Sequence, residues 1–444
     1  MSLRSRRTVR QGLAELRADL LGAQRRMLAA NGGFVRFRVV RRVITLVSVP
    51  DAAHRILVTG ASGYRRGFQH RNLSIGLGDG LLTTDGEVWQ RQRRLTRPVF
   101  SRALLGKVVE MSSAVTADVV DRWLAKAERG EQVEVLGDMR DVAVRVISRA
   151  MFGTELPVLA PIFEEAARTA LAVAYRRNIL PVSLPLSVPT RLHRRWRRAW
   201  AEVDRFVYAQ IEERLTDDRP HDDMLAGLIN GYGDQAGSMR RELRDQIVTL
   251  YFAGFETTSS ALSWTWLMLS QNPEVADRMH AELTEVLGER APTYSDLALL
   301  PYTHQALQES MRLRPPVYTL PRLAAAGEQI GDIDLRRGDN VVVPIHVLHG
   351  SADVWEAPEH CRPDRFAPGR LTPQQRRSYL PFGVGPRKCI GAGFAMATMM
   401  SVLAVAGRRV RLRLVEGHPV GAATEVTQFP AHGLPMHVHP VANP

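Results

Sequence analysis

The stretch PFGVGPRKCIGAGFA, residues 381–395, decides how the rest of the chain is read. Gly383, Gly385, Gly391 and Gly393 punctuate the approach to Cys389, and an apolar helical run follows at once. A thiol at the start of a helix feels the positive end of the helix dipole, which favours the thiolate. Glycines without side chains let the backbone come close to something flat or bulky. Arg387, two residues before the cysteine, suits an anion on that ligand. A lone cysteine is usually a small buried residue beside a turn. The full spacing F-G-x-G-x-R-x-C-x-G is far more specific and marks Cys389 as a ligand.

Three further constellations carry chemistry. AGFETTSS, residues 253–260, lies in the strongest helical segment, 241–270. An acid and two threonines are expensive there: Glu256 buried without a partner is costly, threonines divert hydrogen bonds from the helix ladder and bend it, and Gly254 weakens it further. Glu309 and Arg312 are three apart and share a helix face; an isolated surface pair of this kind contributes at most ~1 kcal/mol. PDRF with Arg365 follows downstream. In WQRQR, Trp89 and Arg93 are four apart. Indole and guanidinium only donate, a combination suited to a carboxylate.

Together these motifs resemble those of the cytochrome P-450 family, over about residues 34 to 440. The resemblance implies a mainly α (α+β) fold, a large helical body with a smaller β-rich region and a haem buried between helices. It implies haem b, iron protoporphyrin IX, with Cys389 on the iron and Phe382, Arg387 and Gly391 in the surrounding loop. Trp89, Arg93 and, in LPRLAAAG, Arg322 would face the propionates. Thr257 would hydrogen-bond dioxygen and Glu256 relay protons, which is general acid work. Glu309, Arg312 and Arg365 would form a buried structural network behind the haem. Ala253, Gly254, Val317, Leu320 and Phe429 would contact substrate.

The implied activity is hydroxylation or epoxidation of an apolar small molecule, a terpenoid, polyketide, fatty-acyl compound or other secondary metabolite. O2 and electrons from a separate ferredoxin and ferredoxin reductase would drive it. One rival is a related haem-thiolate enzyme performing peroxygenation, rearrangement or oxidative coupling; Glu256 and Thr257 argue against peroxide use. The other is a non-catalytic haem sensor or electron carrier, which would need a side chain on the sixth iron position, and none suggests itself. Two departures from the family stand out. A Pro-rich hinge before the first helix is absent, and Thr398 stands where a Glu is common.

Composition agrees with a globular enzyme. The 444 residues are 45% hydrophobic and 24% charged, which excludes a disordered, collagen-like or disulfide-stapled chain. Two cysteines point to a reducing compartment, hence the cytoplasm. The net charge is +13. Residues 1–42 hold eleven arginines against Glu15 and Asp19, and the remainder is nearly balanced, 48 basic to 44 acidic.

A basic leader, 1–33, is therefore expected to pack on a single domain, 34–444. The leader lacks the apolar core of a secretory signal, and no segment is apolar enough to span a membrane. RLHRRWRRAW, 191–200, reads as the solvated face of an amphipathic helix rather than a nucleic-acid patch. Arg91, Arg94 and Lys388 are surface candidates for an acidic ferredoxin, and the chain is expected to be a monomer. Cys361 beside His360 lacks zinc spacing. His346 with His349, and His437 with His439, read as loop or strand residues. No dinucleotide or P-loop motif supplies a reductase within the chain.

Overall fold

The computed structural model describes residues 19–39, 42–155, 159–179 and 184–441. Residues 1–18 of the basic leader and the tract around Pro181 lie outside the described residues. What is described is mainly helical with small sheets. It forms two compact units interleaved along the chain.

The first unit takes the chain up to Gln69, then Glu309–Cys389 and Val426–Gln428. At its centre is a five-stranded sheet of β1 (Phe34–Val39), β2 (Arg42–Val47), β3 (Tyr64–Arg66), β4 (Thr319–Ala324) and β5 (Asn340–Pro344), in the order β1-β2-β5-β4-β3. The early pair expected from β-branched content is an antiparallel ladder with Phe34 opposite Val47. β2 then pairs in parallel with β5, Ile44 opposite Asn340. All five residues of β5 are buried, as a central strand covered on both faces requires. Ile56, Leu57, Val341, Val343 and Leu348 pack on the sheet as its core.

Helix α1 (Leu20–Ala29) is the described part of the leader. Its N-cap Asp19 accepts from the Gly22 N–H at 2.8 Å, the usual remedy for an unsatisfied first turn. The buried His346 lies against it, with Nε2 3.3 Å from the Leu21 carbonyl and Nδ1 3.2 Å from that of Tyr318. A neutral imidazole can donate to only one of the two.

The second unit, His70–Gln308, Ile390–Glu425 and the residues from Phe429, is mainly helical, with a three-stranded sheet of Val133–Glu134, Pro435–Pro440 and Val410–Leu414. Its main helices are α2 (Gly86–Thr96), α3 (Arg102–Glu128), α4 (Val135–Phe152), α5 (Arg191–Thr216) and α6 (Arg240–Gln271). α7 (Pro301–Leu313) leads from this unit into the first, and α8 (Ala392–Arg409) follows the cysteine loop. The helical spacing over 85–128 resolves into α2 and α3. A 3-10 turn at Arg97–Val99 contains Pro98, and Ser101 restarts the helix by accepting from the Leu104 N–H at 3.2 Å. In α5, Arg191, Arg194, Arg195, Arg197 and Arg198 are exposed while His193, Ala199 and Trp200 are buried, so this run is a solvated face.

α6 is the axis of the second unit, buried over most of its length. Its Trp266 meets Trp123 of α3 edge-on at 6.3 Å. Trp123 Nε1 donates to Asp138 Oδ2 of α4 at 2.7 Å, tying three helices together.

Two buried histidines give the first unit a pH response. Burial pushes His346 down to about 4 and His349 to about 3, helped by the nearby Arg25 and Arg312 cations respectively. An unfolded histidine titrates near 6.5, so below that pH the unfolded chain binds protons the native one refuses. Stability from this source is complete above pH 6.5 and is lost as pH falls towards 4, by about 1.4 kcal/mol per pH unit for each histidine. Urea unfolding at pH 7.5, 6 and 5 should show that slope, and His346→Gln should remove one proton's share of it.

Candidate active site

The cysteine loop is built by local hydrogen bonds. After the buried Leu380, the Gly383 N–H donates to the Leu380 carbonyl at 3.0 Å. A 3-10 turn spans Gly385–Arg387. Lys388 N–H then donates to the Gly385 carbonyl at 3.0 Å and Cys389 N–H to the Phe382 carbonyl at 2.9 Å. Cys389 is left exposed, with Phe382 and Arg387 half-buried. Gly385 sits at φ +74°, where a Cβ would overlap the Leu57 carbonyl oxygen. The glycine is thus required by the chain itself, not only by a ligand. Gly391 is the N-cap residue of α8, so Cys389 precedes the helix rather than opening it.

Behind the loop, the structure brings Glu309, Arg312 and Arg365 together. The Glu309 and Arg312 side chains have no exposed surface. Arg312 forms a two-pronged pair with Glu309, Nε to Oε2 at 2.7 Å and Nη2 to Oε1 at 2.8 Å. Its Nη1 donates to the carbonyls of His349 at 2.8 Å and Pro358 at 2.7 Å, and its guanidinium lies 5.3 Å from the Trp355 ring centre. Glu309 Oε1 also accepts from the Arg362 N–H at 2.9 Å and from Arg365 Nε at 3.3 Å. Arg365 Nη2 continues to the Ala357 carbonyl at 2.8 Å. The i,i+3 pair is therefore the buried hub of a loop, not a surface ornament.

In the second unit, α6 has a window. Leu243–Tyr251 and Thr258–Leu269 are continuously buried, yet Ala253 between them is exposed and Phe252, Gly254, Glu256 and Thr257 are half-buried. α6 runs unbroken from Arg240 to Gln271 through this polar run. Thr257 Oγ1 donates to the Ala253 carbonyl at 2.8 Å, a bond the helix accommodates. Gly254 lets α4 approach, since a Cβ there would lie 3.2 Å from Ile147 Cδ1.

Trp89 and Arg93 do share a face of α2, the Arg93 Cζ lying 5.5 Å from the Trp89 ring centre, and both are half-buried. Gln92 between them is buried and orients the helix, donating to the Asp79 carbonyl at 2.8 Å and accepting from Thr84 Oγ1 at 2.7 Å. Arg94 and Arg97 are exposed. Arg91, expected on the surface, is instead paired with Glu242 at 2.6 Å, and the Tyr232 hydroxyl donates to the same carboxylate at 2.7 Å. In the first unit Arg322 is buried on β4, and Val317 and Leu320 pack against the sheet core. Phe429, in the second unit, lies under Arg140 at 5.4 Å, a contact no sequence spacing announces.

In the first unit, a sulfur donor on an exposed loop beside the donor-only Arg387, with the donor-only Arg322 on β4, suits an anionic, metal-bearing group. In the second unit, Trp89 and Arg93 form a donor-only pair suited to a carboxylate, and α6 carries a window of small residues. A family model described as Cytochrome P450 matches residues 18–422. The chain belongs to the cytochrome P450 family. Cyclooctatin synthase of Streptomyces melanosporofaciens is similar to this cytochrome P450, at 33% identity over 88% of this chain and 85% of its own. Putative cytochrome P450 132 of Mycobacterium tuberculosis is 31% identical over 90% of this chain and 88% of its own. Pentalenene oxygenase of Streptomyces avermitilis is 28% identical over 84% of each. As a cytochrome P450 the protein is an oxygen-incorporating oxidoreductase, and the family implies a haem-thiolate iron cofactor, O2 and redox partners. Among the described residues no helix is long and apolar enough to cross a membrane.

The buried hub predicts a large stability effect. Glu309→Ala strands the Arg312 guanidinium and should cost about 3–5 kcal/mol, read as a lower urea midpoint and a fall in folded, haem-loaded protein. An Ala variant with wild-type stability and haem content would show that the pair bears no weight.

Proposed function

We propose that this cytochrome P450 is a monooxygenase that hydroxylates or epoxidises an apolar, multi-ring terpenoid, with Cys389 as the thiolate ligand of haem b. The observation that carries the reading is Cys389, exposed at the end of a loop that stands on the buried Glu309–Arg312 pair. When bound, the haem supplies activation of O2 and transfer of one oxygen atom, and the thiolate ligand favours O–O cleavage. Trp89, Arg93, Arg322 and Arg387 would hold its propionates with donated hydrogen bonds.

The remaining work belongs to the chain. Ala253 and Gly254 would leave room for a substrate over α6, and the adjacent Phe252 packs with Trp200 at 5.8 Å and Phe163 at 5.5 Å to give that stretch an aromatic surface. An apolar, ring-shaped molecule suits such a surface. Relatives whose names state a monooxygenase of cyclooctat-9-en-7-ol and an oxygenase of pentalenene support a terpenoid. Val317, Leu320 and Phe429 are further candidates for substrate contact.

Proton supply is the role proposed for Thr257 and Glu256. The Thr257 proton is held by the Ala253 carbonyl at 2.8 Å, which leaves the lone pairs of Oγ1 to accept from water. Releasing that bond costs about 1 kcal/mol and frees the hydroxyl to donate away from the helix. Half-buried Glu256, on the same turn, would reload it. Such a relay is needed when dioxygen is reduced and not when peroxide is supplied. Electrons would come from a ferredoxin and its reductase, with exposed Arg94 and Lys388 as candidates for an acidic partner.

A reduced, CO-treated sample should show the red-shifted Soret band of thiolate ligation, and Cys389→Ala should abolish it; absence of the band in the wild type would sink the assignment. Thr257→Ala should keep the haem and lower product formed per electron consumed at least several-fold, with the difference appearing as peroxide. Unchanged coupling would remove Thr257 from the relay. A type of Soret shift on titration with pentalenene, and none with a linear fatty acid, would support the substrate class.

A further inference from the structure

We propose that His349 is a positioning residue for Cys389: its neutral imidazole, protonated on Nδ1, fastens the start of the cysteine loop to the buried Glu309–Arg312 pair. The inference rests on Cys389 being the iron ligand, as proposed above.

His349 has no exposed surface. The Leu380 N–H donates to its Nε2 at 2.8 Å, so Nε2 must carry a lone pair and the ring proton must sit on Nδ1. Nδ1 is buried and makes no hydrogen bond of good geometry, so its proton is fixed by the bond at Nε2; the nearby main-chain carbonyls of Arg312 and Met311, at the end of α7, favour one proton on the ring, while burial and the Arg312 charge deny it a second. The same residue is held through its backbone, since Arg312 Nη1 donates to the His349 carbonyl at 2.8 Å. Tyr379, adjacent to Leu380, stacks on the imidazole with ring centres 5.3 Å apart and planes at 29°.

The connection runs on without a gap. The Leu380 carbonyl accepts from the Gly383 N–H at 3.0 Å, and the Phe382 carbonyl from the Cys389 N–H at 2.9 Å. Glu309 thus reaches the cysteine through Arg312, then both the main chain and the ring of His349, then Leu380. A histidine that merely filled space would need no particular tautomer. Here a ring with the proton on Nε2 would set two donors against each other at Leu380 and release the loop where it begins.

Two measurements test this on the haem-loaded protein. In the diamagnetic reduced, CO-bound state with ¹⁵N-labelled histidine, long-range proton–nitrogen spectra should show His349 as the Nδ1–H tautomer; an Nε2–H tautomer overturns the proposal. In parallel, His349→Phe keeps a ring but removes the acceptor, whereas His349→Gln can place an amide oxygen near the position of Nε2. Conversion of the thiolate-ligated, CO-bound form to the thiol-ligated form should be at least tenfold faster in the Phe variant and within about threefold of wild type in the Gln variant. A Phe variant as slow as wild type, or a Gln variant as fast as Phe, overturns the proposal, because packing alone would then explain the residue. Should the Phe variant fail to fold, the tautomer and the Gln variant decide. A wild-type protein without the thiolate band would instead refute Cys389 as the ligand, while the tautomer would still report on the His349–Leu380 bond.

Discussion

Arg312 carries a full positive charge with no solvent to share it, and Glu309 beside it carries the opposite charge under the same conditions. Taking two such ions out of water is expensive, and their mutual attraction offsets the cost only when the remaining donors and acceptors are satisfied too. Here they are: carbonyls from His349 and Pro358, the Arg362 N–H and the Arg365 guanidinium complete the set, and Trp355 covers one face of the cation. These partners lie on the largely irregular chain that runs from the end of a short helix at His349 to the 3-10 turn holding Arg365. The ion pair therefore works as a template that tells loops without secondary structure where to run, and the cysteine loop takes its starting point from the same template.

Much of this was legible because the patterns are local. The cysteine spacing, the three-residue interval between Glu309 and Arg312 and the polar insertion at 253–260 can be read in a line of text. The helical and β-rich segments followed from periodicity and from β-branched runs such as residues 340–343. What could not be read was the backbone half of each contact. Glu309 and Arg312 meet peptide groups 37 to 53 residues away, and a peptide group has no signature in sequence. Gly385 shows the same limit: its presence signals a close approach, but nothing in its neighbours says that the approaching atom belongs to Leu57. Arg91 looked like any surface arginine until α6 placed Glu242 beside it. His349 had only its identity to offer, since a lone buried histidine looks like any other.

α6 illustrates a different kind of silence. A helix buried on every side has no polar stripe to show which face is special. The exposed Ala253 is as small and apolar as its buried fellow Ala261. Only the run of small and polar residues around it hints that the wall of the core opens there. The helix tolerates the opening because Thr257 returns its hydroxyl proton to the helix's own carbonyl, so a group suited to chemistry is parked in a position that also serves the fold.

The parallel pairing of β2 with β5 sets a schedule for making the protein. Ile44 leaves the ribosome about 300 residues before its partner Asn340, an interval of roughly 15–60 s at ordinary rates of synthesis. During that time the β1–β2 hairpin has an unpaired inner edge, the kind of strand that invites association with other chains. Helices made in that interval, such as α4 and α6, can pack on one another while the hairpin waits. The hub, Glu309 to Arg365, is made around the end of the wait, and the cysteine loop, whose Gly385 closes on Leu57, is made after it. A cofactor held by Cys389 would be captured only after nearly nine-tenths of the chain has been made, so the open edge of the hairpin must be protected before any cofactor can help to stabilise the fold.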